Sequence, residues 1–120
     1  MKFKNKRLTK AVIEKAKQRR AIMFEGMTES EIRQHVPINK GYLHEYENER
    51  AINWGLFIPE CVVCGGTHIH GNGGSGTYSK HCNNDRSIIG EDEVFPSQYE
   101  IVLDMSDEDN QRLSEKYGVK

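Results

Sequence analysis

The stretch from Cys61 to Cys82 limits what this chain can fold into more than any other. It holds all three cysteines and three of the five histidines. It reads Cys61-Val62-Val63-Cys64-Gly65-Gly66, then Thr67-His68-Ile69-His70, a glycine-rich run from Gly71 to Gly76, and Thr77-Tyr78-Ser79-Lys80-His81-Cys82. Two cysteines separated by two residues and followed by glycines form a zinc knuckle. The tight turn aims both thiolates at one point, and the glycines let backbone amides approach the sulfurs. The runs on either side of the glycine-rich loop are expected to pair as a β-hairpin that returns Cys82 to the knuckle. Cys61, Cys64 and Cys82 are then ligands. His81, beside the returning cysteine, is the expected fourth, although consecutive strand side chains point to opposite faces. His68 and His70, which share a face, and Asp85 are the alternatives. Each histidine can equally be a surface strand residue. Mixed sulfur and nitrogen donors, without a fourth cysteine, favour Zn2+ over iron.

An odd number of clustered cysteines points to metal in a reducing compartment and not to a disulfide frame, which places the chain in the cytoplasm. No apolar run is long enough for a transmembrane helix, and the basic N-terminus has no apolar signal-peptide centre. With 36% hydrophobic and 29% charged residues the core must be small, so a metal would help to hold the C-terminal half. The net charge of -1 hides an asymmetry. Residues 1–54 carry twelve Lys/Arg against seven Asp/Glu, a balance of +5, and residues 55–120 carry five against eleven, a balance of −6. In the first twenty residues, nine basic side chains face only Glu14. One end is built to meet a polyanion and the other is not.

In chain order, Lys2 to Phe24 is expected to be a helix capped by Asn5 or Thr9. Its apolar side is Leu8, Val12, Ile13, Ala16, Met23 and Phe24, and Lys10, Lys15, Lys17 and Arg19 fill the other face. Thr28-Glu29-Ser30-Glu31 is a capping box opening a second helix to about Val36, which Pro37 stops. Asn39 caps an expected third helix from Lys40 to about Ile52. Leu56 to Pro59 leads into the knuckle as a short strand or linker. Tyr99 to Leu103 reads as a strand. Ser106 with Asp109 opens a last helix to Tyr117, ended by Gly118. The fold class expected is α+β: residues 1–55 a helical region and residues 56–120 a zinc-stapled hairpin followed by a strand and a helix.

The second and third helices with their short connection resemble the helix-turn-helix of small bacterial and phage regulators, with Ile32, Val36, Ile38, Leu43 and Tyr46 at the motif's apolar positions. The resemblance covers about 20 residues. It departs from the motif at Arg33, where a small residue is usual, at Pro37, where the turn glycine is usual, and in the acidic Glu45, Glu47 and Glu49. It implies that Asn39, Lys40, Tyr42 and His44 sit at the start of a recognition helix and meet base edges. The run Cys61-x-x-Cys64, His68-x-His70, His81-Cys82-Asn83-Asn84 also faintly resembles the zinc-bearing HNH nucleases. In that family His70 would match the general base and Asn83 or Asn84 a metal-holding position. The Asp-His pair and the second cysteine pair are missing.

A nucleic-acid-binding regulator of transcription or of a mobile element, with a structural zinc and no catalytic residue, is the function expected. Lys15, Lys17, Arg19 and Arg20 would neutralise phosphates, while Asn39, Lys40, Tyr42 and His44 would read or position. The partners expected are DNA rather than RNA, a protein at the acidic C-terminal half, and a second copy of the chain. The rival readings are a phage-type protein-binding inhibitor or adaptor, and an HNH-like nuclease. A catalytic zinc would need an open position and a general base, for which Glu60 is the only carboxylate close in sequence.

Overall fold

A computed structural model describes residues 9–47, 51–79 and 94–120. Thr9 caps α1 (Lys10–Met23), its side chain accepting from the amide of Val12. Thr28 opens α2 (Glu29–Gln34) with the full capping box: its hydroxyl accepts from Glu31, whose carboxylate accepts from the Thr28 amide. Both caps are among those the sequence offered. The expected helix from Lys2 is not continuous, however: Thr9 is in extended backbone and α1 begins at Lys10, while residues 1–8 lie outside the described residues.

The third helix does not form. Ile38–Glu47 is a strand, β1, followed by the strand β2 at Ile52–Ile58. There is accordingly no helix-turn-helix at these residues. The reason is visible in the burial of β1. Asn39, Gly41 and Leu43 point into the protein, whereas Ile38 and Lys40 are exposed and Tyr42 and His44 are half-buried. The inward positions thus include a polar residue and a glycine, and the outward ones include Ile38. The apolar alternation that normally announces a strand is inverted over its first half. Gly41 is demanded by packing, because a Cβ there would lie 2.5 Å from Ile101 Cγ2 and 3.0 Å from Leu56 Cδ1.

Three more strands complete one sheet: β3 (His68–Ile69), β4 (Gly76–Ser79) and β5 (Gln98–Leu103). The order is β3-β2-β1-β5-β4, with β1 and β5 parallel and the other pairs antiparallel. This overturns the expected hairpin. β3 pairs with β2 at one edge of the sheet and β4 pairs with β5 at the other, so the glycine-rich segment connects the two edges instead of turning between paired neighbours. It is anchored along the way. Gly71 accepts from the Leu56 amide, Ser75 donates its amide to Lys120 O, and the Ser75 hydroxyl accepts from the Leu103 amide. The sheet curls so that its edges approach: the rings of His70, just after β3, and Tyr78 of β4 have centroids 4.8 Å apart.

The last helix, α3 (Glu108–Tyr117), is capped one residue later than expected, by Asp107, and ends at Gly118 with φ +65. Leu113 enters the core with Leu43, Leu56, Ile58, Tyr99, Ile101 and Leu103. Asn110, fully buried, serves the edge of β1 beyond its pairing with β5. Its Oδ1 accepts from the Leu43 amide at 2.7 Å, and its Nδ2 donates to Gly41 O and Asp104 O. No helix among the described residues is long and apolar enough to cross a membrane.

Candidate metal centre

The knuckle turn is built by its own backbone. Gly65 donates its amide to Cys61 O and Cys61 donates to Gly66 O, both at 2.8 Å, with Gly65 at φ +79, where a side chain would be strained. This geometry points two amides at the sulfurs: Val63 N to Cys61 Sγ and Gly66 N to Cys64 Sγ, each at 3.4 Å. A third donor comes from the sheet. Asn39 on β1 gives its Nδ2 to Cys61 Sγ at 3.6 Å and accepts from the Val62 amide at 2.9 Å. Such donors stabilise thiolates, and a thiolate is the form that binds metal.

β3 starts four residues after Cys64 and carries His68 onto the same point. The ligand atoms of Cys61, Cys64 and His68 all lie within 4.8 Å of one another, and all three residues are buried. His68 Nε2 is 3.2 Å from Cys64 Sγ. A tetrahedral zinc with Zn–S of about 2.3 Å and Zn–N of about 2.0 Å puts its donors roughly 3.5–3.8 Å apart, so the cluster fits with small adjustments. Burial alone would lower the pKa of His68, but its hydrogen bonds to the sulfurs of Cys61 and Cys64, and their charge, raise it to about 9. With metal the proton must leave. Cys61 and Cys64 are free thiols and not a disulfide.

His70, just after the strand, goes elsewhere. His70 Nε2 is 2.5 Å from the hydroxyl of Tyr99, whose ring stacks on that of His68 with centroids 6.0 Å apart. Of the expected ligands, the structure brings Cys61 and Cys64 together and adds His68. His81 and Cys82 lie outside the described residues, as do Asp85, Asn83 and Asn84. Glu60, the carboxylate nearest in sequence, accepts from Arg19 at 3.3 Å.

The expected nucleic-acid residues separate into four groups. Lys15 and Lys17 are exposed on α1. Arg19 and Arg20 are turned to the knuckle: Arg19 Nη1 donates to Cys61 O at 3.2 Å, and Arg20 Nη1 donates to Val63 O at 2.6 Å. Arg20 is only 4% exposed and lies over the ring of Phe95 at 4.8 Å, so it cannot meet phosphate as expected. Asn39 is fully buried and cannot read a base edge. Lys40, Tyr42 and His44 alternate along one face of β1. There Tyr42 donates to Asp104 and His44 meets Phe57 edge to face. The arginines gave no sequence signal to set them apart from the lysines around them. For His68 a signal was present, in its place four residues after Cys64.

Fold and site together define a mixed α+β protein with a buried Cys-Cys-His cluster spaced to hold a metal ion. Comparison with protein-family models, curated proteins and solved structures finds no match.

Proposed function

We propose that the chain is a zinc protein in which the metal is structural and the basic end contacts nucleic acid. The convergence of Cys61, Cys64 and His68 on one buried point carries the metal reading. Cys82 is the fourth ligand in this proposal. β4 ends at Ser79, and its Tyr78 is opposite Tyr99, whose ring stacks on His68. From Ser79 to Cys82 is three residues, enough to reach about 10 Å. Three cysteines and one histidine make a closed site with no position left for water, which is a structural and not a catalytic arrangement. When bound, the ion locks the knuckle between the sheet and α1.

The nucleic-acid reading rests on the exposed Lys10, Lys15 and Lys17 of α1, which follow Lys2, Lys4, Lys6 and Arg7 in sequence. Without a recognition helix, this surface would bind phosphate with little regard for base sequence. An electrophoretic shift titration of duplex DNA at two salt concentrations tests it. Affinity should fall steeply with salt, and Lys10, Lys15 and Lys17 together replaced by Ala should flatten the slope, because each neutralised phosphate releases counterion. No affinity even at low salt would rule out nucleic acid as the partner and leave the zinc reading standing.

A further inference from the structure

The contacts of α1 lead to an inference about what the metal controls, and it rests on the zinc reading above. α1 has no extensive packing against any strand of the sheet, unlike α3, which lies against β1. The buried residues on its inner side are Ala16 and Arg20, with the buried Phe24 at its C-cap. Ala16 and Arg20 both meet the knuckle itself. Ala16 and Val12 cover Gly65 so closely that a Cβ there would be 3.4 Å from Ala16 Cβ and 3.1 Å from Val12 Cγ1. Arg20 is fastened to Val63 O, and Arg19 to Cys61 O, with a salt bridge from Arg19 to Glu60 at 3.3 Å. Both carbonyls belong to the Cys61-x-x-Cys64 turn. The helix therefore grips peptide groups whose direction is set by the same turn that aims the sulfurs.

We infer that zinc binding at Cys61, Cys64 and His68 docks the basic helix α1, so that metal and helix position are thermodynamically coupled. Without the ion, two sulfurs and a histidine crowd one buried point, and the turn has reason to open. Once it opens, Cys61 O and Val63 O leave the reach of Arg19 and Arg20, and Gly65 no longer offers its flat surface to Ala16. Coupling of this kind is reciprocal: whatever zinc contributes to docking, docking returns to zinc affinity.

Two measurements on the full chain test this, with zinc alone as the probe. In hydrogen exchange by mass spectrometry, chelation of zinc should speed exchange of amides in residues 16–24 by on the order of tenfold or more, while those of α3 change much less. In a competition titration with a chromophoric chelator, Arg20→Gln, which removes no ligand, should weaken zinc binding by on the order of tenfold. Arg19→Gln, at the more exposed edge of the same contact, should do so by less and serves if Arg20→Gln fails to fold. Zinc bound at one per chain with α1 exchange unchanged on chelation would overturn the coupling while leaving the zinc reading intact. A chain that binds no zinc would overturn both.

Discussion

Replacing Asn39 separates a structural role at the knuckle from a base-reading one. At the start of a recognition helix this residue would read a base. Instead it is fully buried and ties β1 to the knuckle through the Val62 amide and Cys61 Sγ. In Asn39→Ala the Val62 N–H loses its acceptor, which costs about 1–2 kcal/mol, and the sulfur loses a donor worth about 1 kcal/mol. The sum of about 2–3 kcal/mol corresponds to a fall in Tm of about 8–12 °C for a chain of this size, from an unfolding entropy of about 2 cal/mol/K per residue. Zinc affinity should fall about tenfold, as is usual when a partner of a ligand is removed. Asn39→Asp keeps the acceptor but turns the donor into a negative charge beside the sulfur, so it should lower zinc affinity further than Asn39→Ala. Thermal unfolding with saturating zinc and a chelator competition read the two effects. A variant with unchanged Tm and zinc affinity, but altered preference among DNA sequences, would refute this assignment and restore the base-reading role.

Two other predictions concern the fold. Glu45 accepts hydrogen bonds from Lys116 and Tyr117 and is paired with Arg112, which lowers its pKa from 4.5 to about 2. A depressed carboxylate stabilises the fold above its unfolded value and loses that contribution as pH falls through the folded one. The Tm advantage of wild type over Glu45→Gln should therefore be full above pH 4.5 and vanish between 4.5 and 2. Acid loss of metal is common to both proteins and cancels in the difference, and a constant advantage across that window would contradict the assignment. Gly41→Ala places a methyl group 2.5 Å from Ile101 Cγ2 and should cost about 1–3 kcal/mol in denaturant unfolding. An unchanged midpoint would show that β1 and β5 separate more easily than their packing implies.

Local chemistry was legible where it is carried by neighbours in sequence. The Thr9 and Thr28 caps, the knuckle, the strand ending at Leu103 and the terminal Gly118 all depend on residues within a few positions of one another. What was not legible depends on distant partners. β1 was hidden because its buried side begins with Asn39 and Gly41, and what makes these inward residues is the knuckle and Ile101, 22 and 60 positions away. The hairpin seemed required by two short runs around a flexible loop, yet β4 finds its partner in β5, and the loop is held by Leu103 and Lys120 at the far end of the chain. The same applies to the site. His68 and His70 look alike in sequence, and the sheet gives one to the sulfurs and the other to Tyr99. Arg19 and Arg20 read as part of a basic face because only the fold shows two carbonyls waiting for them.

Elemental analysis of protein purified without chelator, carried out on wild type, His68→Ala and His81→Ala side by side, tests the metal centre most directly. The geometry predicts about one zinc per chain in wild type, loss or marked weakening in His68→Ala, and retention in His81→Ala. Wild-type protein without zinc, or His68→Ala that keeps its zinc while His81→Ala loses it, would contradict the assignment of His68 as the ligand that joins Cys61 and Cys64.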